Sequence, residues 1–241
     1  MAQKFGKCDL PGEAFMGGRV RRNTVRQHKS EENRLFSYFM ISFIKPTKAF
    51  NELLASDKYF TYSFIYILFP IVGYTLMYIF LTIGQGAPSV LTPWLNITKE
   101  SYYSVNRFLL APSMLMSWLL ASSVMQIMSK LFNGEGTFEK TMSILALCIS
   151  VSMIPALLHD LPMSFLSALK IINAKEHEIA MNEPTVWRSL LWFFYSVYFI
   201  YFFVLFPKAV SIVHKISKAK SIFIGILSFV VFQTVFLLFN R

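Results

Sequence analysis

The sequence predicts an all-α membrane protein, a bundle of five transmembrane helices with interfacial amphipathic helices on its N-terminal side. Three observations lead to this fold class. Apolar residues make up 55% of the 241 residues and charged residues only 15%, whereas soluble domains carry about 25% charged residues. The apolar residues form five runs long enough to cross a hydrocarbon core about 30 Å thick. Lysine and arginine lie between these runs, so we assign the net charge of +10 to membrane orientation and headgroup contact rather than to nucleic-acid binding.

Residues 1–34 are polar and basic, which predicts a flexible cytosolic arm. The basic run in this arm is a candidate contact for anionic lipid or an acidic partner, since each basic residue near a charged membrane surface contributes about 1 kcal/mol. The alternative is that the run only fixes the topology. It consists of Arg19, Arg21, Arg22, Arg26 and Lys29.

Residues 35–58 predict two short helices at the membrane surface. Leu35, Phe36 and Phe39 open a first apolar stripe at helical spacing, and a second stripe follows Pro46. Charged residues flank the second stripe, and both segments are too short to span a membrane. They are therefore interpreted as interfacial amphipathic helices.

Residues 59–241 predict a membrane domain of five spanning helices. Pro70 predicts a kink in the first span, Pro155 bends the last turn of the third, and Pro207 closes the fourth. Residues 163–173 are modestly apolar and are expected to lie along the interface. The expected spans are 60–83, 108–132, 141–159, 188–207 and 221–240.

Small residues recur four positions apart in the second and third spans, a spacing that lets membrane helices approach closely. These positions are candidate helix-packing residues. They are Ser113, Ser117, Ala121, Ala146 and Ser150.

The distribution of lysine and arginine predicts the orientation. With five spans, one side of the membrane holds 17 basic residues and the other holds 6. The N-terminus is therefore expected in the cytosol and the C-terminus on the external or lumenal side. Lys215, Lys218 and Lys220 fall on the cytosolic side, where they are further candidate contacts for anionic lipid or a partner.

Few residues in the spans carry ionisable groups. His159 and Asp160 follow Pro155, and such a pair at a membrane edge can form a polar site. The simpler interpretation is that the pair caps a helix or meets headgroups, because neighbouring helical residues point about 100° apart. His177 is expected in a solvated loop, with a cation site formed together with Glu176 and Glu178 as the alternative. His214 is expected to face headgroups.

Other features of the sequence point to packing rather than to bound cofactors. Tyr195, Tyr198 and Phe202 form a stripe that predicts packing, with a ligand groove as the alternative. The two cysteines and the histidines have no metal-ligand spacing, so we expect no metal and no cofactor. A glycosylation triplet begins at Asn96 on the predicted external side.

Four segments resemble the Yip-domain membrane proteins, a family named for interaction with Ypt/Rab GTPases. The first segment has a Pro, then a Phe and a short helix, ahead of the first span. The second has a Gly-containing turn ahead of a third span that ends in Pro. The third is a Trp-containing fourth span, and the fourth is a basic link into the last span. The resemblance covers about 35–241. The segments are 43–74, 131–158, 189–203 and 206–229.

The resemblance implies a five-helix membrane domain with a cytosolic N-terminus and, for eukaryotic relatives, roles in vesicle trafficking. Residues 9–12 read Asp-Leu-Pro-Gly, and the Asp-Leu-Tyr-Gly-Pro signature of those relatives is not found ahead of the first span. The resemblance therefore favours a prokaryotic member. The protein would lie in the inner membrane of a prokaryote or in a Golgi or ER membrane of a eukaryote.

The first functional hypothesis is a non-enzymatic protein that acts by association, as a scaffold, an assembly factor or an accessory subunit. Its expected partners are membrane lipids and other membrane proteins or further copies of the chain. A transporter or channel component is the alternative, and an intramembrane enzyme that uses His159 and Asp160 is a third hypothesis. The polar positions that would line a transport path are Ser113, Ser117, Gln126, Ser150 and Ser152.

Overall fold

The computed structural model describes residues 34–88 and 97–240, and α-helices dominate both ranges. The basic run of the N-terminal arm and Asn96 lie outside these ranges. A 3₁₀ turn, Lys99–Ser101, precedes the fourth helix. The helices are α1 Arg34–Ile44, α2 Pro46–Leu54, α3 Tyr59–Ile83, α4 Tyr102–Leu131, α5 Phe138–Ala168, α6 Ala174–Ala180, α7 Val186–His214 and α8 Lys218–Phe239.

Five helical segments in the described ranges are long and apolar enough to cross a membrane. They are α3, α4 with its preceding turn, α5, α7 and α8. The predicted all-α fold with five spanning helices is confirmed.

Helix α5 lies at the centre of the bundle. In its most apolar window, 89% of the residues are buried, against 22–44% for the other four spanning helices. It packs mainly against α3 and α7, while α4 packs against α8 and α8 against α7. The exposed faces of the outer helices are apolar, as expected for surfaces that meet lipid.

Two spans extend beyond their predicted ends because proline does not end them. Helix α5 passes through Pro155 and Pro162, so residues 163–168 continue the same helix. Helix α7 passes through Pro207 and continues to His214. Neighbouring helices support a proline kink in a membrane helix, so proline marks a bend there and not an end.

The true end of α5 is a Schellman motif. The backbone N–H of Ile171 donates to the carbonyl of Leu166 at 3.0 Å, and that of Lys170 donates to Ser167 at 2.9 Å. Lys170 adopts the left-handed conformation that this motif requires, with φ of 58°. At the other end of the helix, the side chain of Thr137 accepts from the backbone N–H of Lys140.

Helices α7 and α8 approach closely where α7 passes its proline. A Cβ atom built on Gly225 would lie 2.5 Å from the backbone nitrogen of Pro207. This distance leaves no room for a side chain, because the obstacle is backbone and cannot rotate away. Glycine at this position therefore sets how closely the two helices pack.

Helices α1 and α2 pack against the bundle. In α2, Ala49, Phe50 and Leu53 are fully buried, whereas Lys48 and Glu52 face outward with their charged groups 3.7 Å apart. This is the amphipathic pattern that the sequence predicts. Helix α1 differs, because its outward face is a stripe of exposed apolar side chains, Phe36, Met40 and Ile44.

Candidate functional site

A cavity of about 410 Å³ lies between the spanning helices, at the end of the bundle away from the turn at Lys215. It is bounded by the C-terminal halves of α3, α5 and α8 and by the N-terminal half of α7. Helix α6 contributes residues from the loop side, and Tyr103 of α4 completes the wall. In the predicted orientation this end is external or lumenal.

His159 and Asp160 form the polar centre of the cavity wall. The Nδ1 atom of His159 lies 2.8 Å from Oδ1 of Asp160, and the hydroxyl of Tyr195 donates to Oδ2 of the same carboxylate at 2.9 Å. A carboxylate only accepts hydrogen bonds, so the contact assigns the proton of a neutral His159 to Nδ1.

The position of this pair differs from the expected helix end. Because α5 continues to Ala168, His159 and Asp160 lie about two turns inside the helix. His159 is buried. The two side chains are close despite the angle between neighbouring helical positions, since both rotate towards each other.

His177 lies on α6 beside the cavity instead of in a solvated loop. Its ring stacks on that of His159 with 6.4 Å between centroids, and the ring of Trp187 meets it edge-on at 5.7 Å. Burial lowers the pKa of His177 below its usual 6.5, and the nearby His159 lowers the pKa further. His177 is therefore neutral at pH 7.

Two further polar contacts cross between helices at the cavity wall. The hydroxyl of Tyr103 donates to Oε1 of Glu178 at 2.5 Å. The hydroxyl of Tyr198 donates to Oε1 of Gln233 at 2.7 Å. Tyr195 and Tyr198 of the predicted aromatic stripe thus face the cavity, whereas Phe202 is fully buried and stacks on Phe232.

Three buried polar atoms of the wall have no hydrogen-bond partner among the described residues. They are Nε2 of His159, Oγ of Ser167 and Oδ1 of Asn240. Buried polar atoms in native proteins are normally paired, and leaving one unpaired costs about 1–3 kcal/mol. All three atoms belong to residues that line one cavity.

The cavity wall is acidic. Asp160 and Glu178 line it, and the described lining residues include neither lysine nor arginine. No group of three or more His, Cys, Asp and Glu side chains in the described ranges is placed to hold a metal ion.

The predicted cytosolic lysines lie at the other end of the bundle. Lys215, Lys218 and Lys220 are all exposed. The Nζ atom of Lys215 lies 2.8 Å from Oε2 of Glu135, which links the α4–α5 turn to the α7–α8 turn. This ion pair lowers the pKa of Glu135 and raises that of Lys215.

The candidate helix-packing residues are buried inside the bundle. Ser113, Ser117 and Ala121 lie along α4, and Ala146 and Ser150 lie along α5. Ser117 donates to the carbonyl of Ser113 at 2.7 Å, and Ser150 donates to the carbonyl of Tyr66 on α3. These hydroxyls are thus bonded to backbone.

His214 is buried and does not face headgroups. Its Nε2 atom lies 3.1 Å from Oγ1 of Thr141, whose hydroxyl also meets Oε1 of Gln126 at 2.8 Å. The expectation was wrong because α7 continues past Pro207. The extension places His214 against the turn that holds Gly134 and Gly136.

Sequence reasoning missed the contributions of α6 and α8 to the cavity. Gln233 and Asn240 line it from α8 and the residue after it. Polar residues inside a spanning segment often mark a functional site, so these two amides were the available signal. His177 and Glu178 stand out in the sequence as a possible cation site, but their position near the spans is not evident because a loop separates them from the spans.

Comparison with known proteins gives one match. The family model of the Yip1 domain matches residues 40–239. Neither the search of curated proteins nor that of solved structures found a significant match.

Proposed function

The chain belongs to the Yip1 domain family, and from this we propose that it acts by association, as a non-enzymatic scaffold, assembly factor or accessory subunit of a membrane complex. It is an integral membrane protein with apolar helices of spanning length. In this proposal the N-terminus is cytosolic and the C-terminus external or lumenal. Its partners are membrane proteins, further copies of the chain and lipids. The resemblance to eukaryotic relatives extends the proposal to vesicle trafficking.

The packing of α1 and α2 on the bundle carries this proposal. The hydroxyl of Tyr66 on α3 donates to the carbonyl of Leu35 at 3.0 Å, and that of Tyr201 on α7 donates to Phe43 at 3.4 Å. Phe50 of α2 is fully buried. The two helices are thus held in a fixed position, which gives a partner a defined surface to recognise.

Charged side chains surround this surface at the predicted cytosolic end. Lys48 and Glu52 face outward from α2, and Lys215, Lys218 and Lys220 are exposed at the α7–α8 turn. Basic residues close to a membrane surface attract anionic headgroups and acidic segments of other proteins.

Co-purification from native membranes tests the proposal. The intact protein is expected to purify with a partner or with further copies of itself after chemical crosslinking. Combined replacement of Lys215, Lys218 and Lys220 by Gln should reduce the partner yield several-fold. The matched control replaces Lys170 and Lys175 by Gln at the opposite end and should leave the yield unchanged. A solitary monomer in crosslinked membranes would contradict the proposal.

The cavity favours transport or presentation of a small or lipidic solute as a second candidate function. The polar positions suggested for a transport path support it poorly, because Ser117 and Ser150 are buried and bonded to backbone carbonyls. Solute flux in proteoliposomes tests this function. Flux that disappears with Ser117→Leu or Ser150→Leu would support a path through these positions. Flux that both variants retain would rule that path out.

A further inference from the structure

We infer that the cavity at the α6 end of the bundle binds the acyl-ester region of a membrane glycerolipid, through hydrogen-bond donors of α3 and α8. The lipid enters between α7 and α8, and the greater part of its chains stays in the bilayer. A lipid can occupy the cavity whether or not it is transported, so this binding depends on neither function proposed above. Unpaired donors, an apolar wall and an opening towards the membrane support the assignment.

Two tyrosine hydroxyls of α3 face the cavity without a hydrogen-bond partner. Tyr74 and Tyr78 lie four positions apart and therefore share one face of the helix. Only 6% and 4% of their surfaces are exposed, and both residues line the cavity. Neither hydroxyl is hydrogen-bonded to a described residue, yet both oxygens retain accessible surface. The two hydroxyls therefore open onto the cavity, where each can donate a hydrogen bond.

Gln233 of α8 adds a third donor group. Its Oε1 atom accepts from the hydroxyl of Tyr198 at 2.7 Å, and the N–H groups of the same amide have no partner within the described part of the chain. The ring of Tyr74 meets that of Phe236 edge-on, with 6.3 Å between centroids. Phe236 lies on α8 about one turn beyond Gln233. The donors of α3 and α8 therefore line the same part of the cavity.

Three groups that can all donate call for a ligand that offers acceptors. The carbonyl oxygens of an acyl ester accept hydrogen bonds, donate none and carry no charge. Phosphate oxygens also accept, but proteins normally hold phosphate with arginine or lysine, and the described lining residues include neither. The ester region of a lipid therefore fits these donors better than its phosphate does.

The rest of the wall suits the first part of an acyl chain. Most of it is apolar or aromatic, with side chains such as Met77, Leu81, Met163 and Leu191. Its volume of about 410 Å³ lies within the range of about 300–1,000 Å³ that is typical of small-molecule pockets. A two-chain lipid is larger than such a pocket holds, so its chains must leave the cavity through an opening.

Such an opening lies between α7 and α8. Phe199 of α7 and Leu237 of α8 both line the cavity, and each keeps more than a third of its surface exposed. These helices are neighbours, so the two residues mark an opening between apolar helix faces. A lipid can place its ester region in the cavity through this opening while its chains remain in the bilayer.

The test uses the full chain purified in detergent and titrated with lipid under native mass spectrometry. The probes are dioleoyl phosphatidylcholine and its diether analogue, which have the same head, the same net charge and the same chain length. They differ only in the two ester carbonyls. We expect the diester to bind about tenfold more tightly, because its carbonyls accept hydrogen bonds that the diether cannot replace.

Two variants locate the binding in this cavity. Tyr74→Phe and Tyr78→Phe each remove one hydroxyl and should each weaken binding of the diester about fivefold, while the diether should bind as before. The matched control is Tyr59→Phe, at the opposite end of α3 and outside the cavity wall. The two removed hydroxyls are bonded to no described residue, so the lipid-free variants should unfold at the same temperature as the unsubstituted protein.

A preference for the diester that both variants reduce and the control keeps would support the ester site. Equal binding of the two lipids would overturn the inference, because the protein would then recognise the head or the chains. A preference that both variants retain would overturn it too, as would no binding of either lipid. The comparison of the two lipids on the unsubstituted protein remains decisive if a variant does not fold.

Discussion

The hydroxyl of Tyr195 on α7 donates a hydrogen bond of 2.9 Å to Oδ2 of Asp160 on α5. The same carboxylate accepts from His159 at 2.8 Å through its other oxygen. One side chain thus joins an outer helix to the central helix and fixes the ring of His159 in the cavity wall. The packing of α7 on α5 therefore also sets the positions of the polar side chains in the candidate site.

Tyr195→Phe removes this hydroxyl and should destabilise the protein by about 1.5–3 kcal/mol, the contribution of a hydrogen bond to a charged group. Thermal unfolding in detergent measures the change. Tyr201→Phe is the control, because its hydroxyl makes only a 3.4 Å contact with the carbonyl of Phe43 and should cost less. An equal loss for the two variants would mean that the Tyr195 bond has no special role.

Gly225→Ala should destabilise the bundle by about 1–3 kcal/mol, as overpacking does in well-packed interiors. The new Cβ would press on the backbone of Pro207 at 2.5 Å. Gly73→Ala is the matched control, since its Cβ would meet only the end of the Leu157 side chain at 2.9 Å, which can rotate away. In thermal unfolding, Gly225→Ala should therefore lose more stability than Gly73→Ala. An equal loss in the two variants would contradict the expectation.

Lys170→Gly should stabilise the protein by about 1 kcal/mol, because glycine adopts the left-handed conformation without the cost that a Cβ brings. Lys170 has φ of 58° at the end of α5. Lys175→Gly, inside α6, should instead lower stability, since glycine is unfavourable within a helix. Unfolding curves for the pair test whether α5 ends at Ala168. A loss of stability with Lys170→Gly would place the helix end elsewhere.

The stability contribution of His177 should depend on pH. Its pKa is lowered in the fold, mainly by burial, so the unfolded chain binds its proton more readily. The stabilising effect of the neutral ring is complete above 6.5, the pKa of His177 in the unfolded chain. It is lost as the pH falls through the lower pKa of His177 in the folded protein. Lowering the pH from 7.5 to 5 should therefore cost the native protein more stability than it costs His177→Gln. Parallel pH curves for the two proteins would contradict this assignment.

The sequence predicts the number of spanning helices well and the bounds of three of them poorly, because α4 begins at Tyr102 instead of 108 and α5 and α7 end late. Apolar length alone identifies α3 and α8, whose bounds lie close to the expected ones. Helices α5 and α7 run past Pro155 and Pro207, because contacts with neighbouring helices stabilise a kinked helix. Such contacts are tertiary, and a local pattern does not contain them.

The candidate site was only partly accessible to sequence reasoning. His159 and Asp160 are noticeable as ionisable residues near a span, but their partner Tyr195 lies 35 positions away from Asp160. His214 shows the opposite error, because the lysines around it suggest exposure while the fold buries it against Thr141. In both cases the deciding information is the approach of two helices that are distant in the chain.

The central position of α5 has a consequence for how the protein is made. Helix α5 is the third spanning helix to be synthesised, while α7, one of its two main neighbours, follows later. Until α7 is inserted, the face of α5 that packs against α7 in the finished bundle lacks the covering that this helix provides. Chains halted before α7 are therefore expected to be retained by insertion factors or degraded, which makes completion of the last two spans the quality-control step of biogenesis.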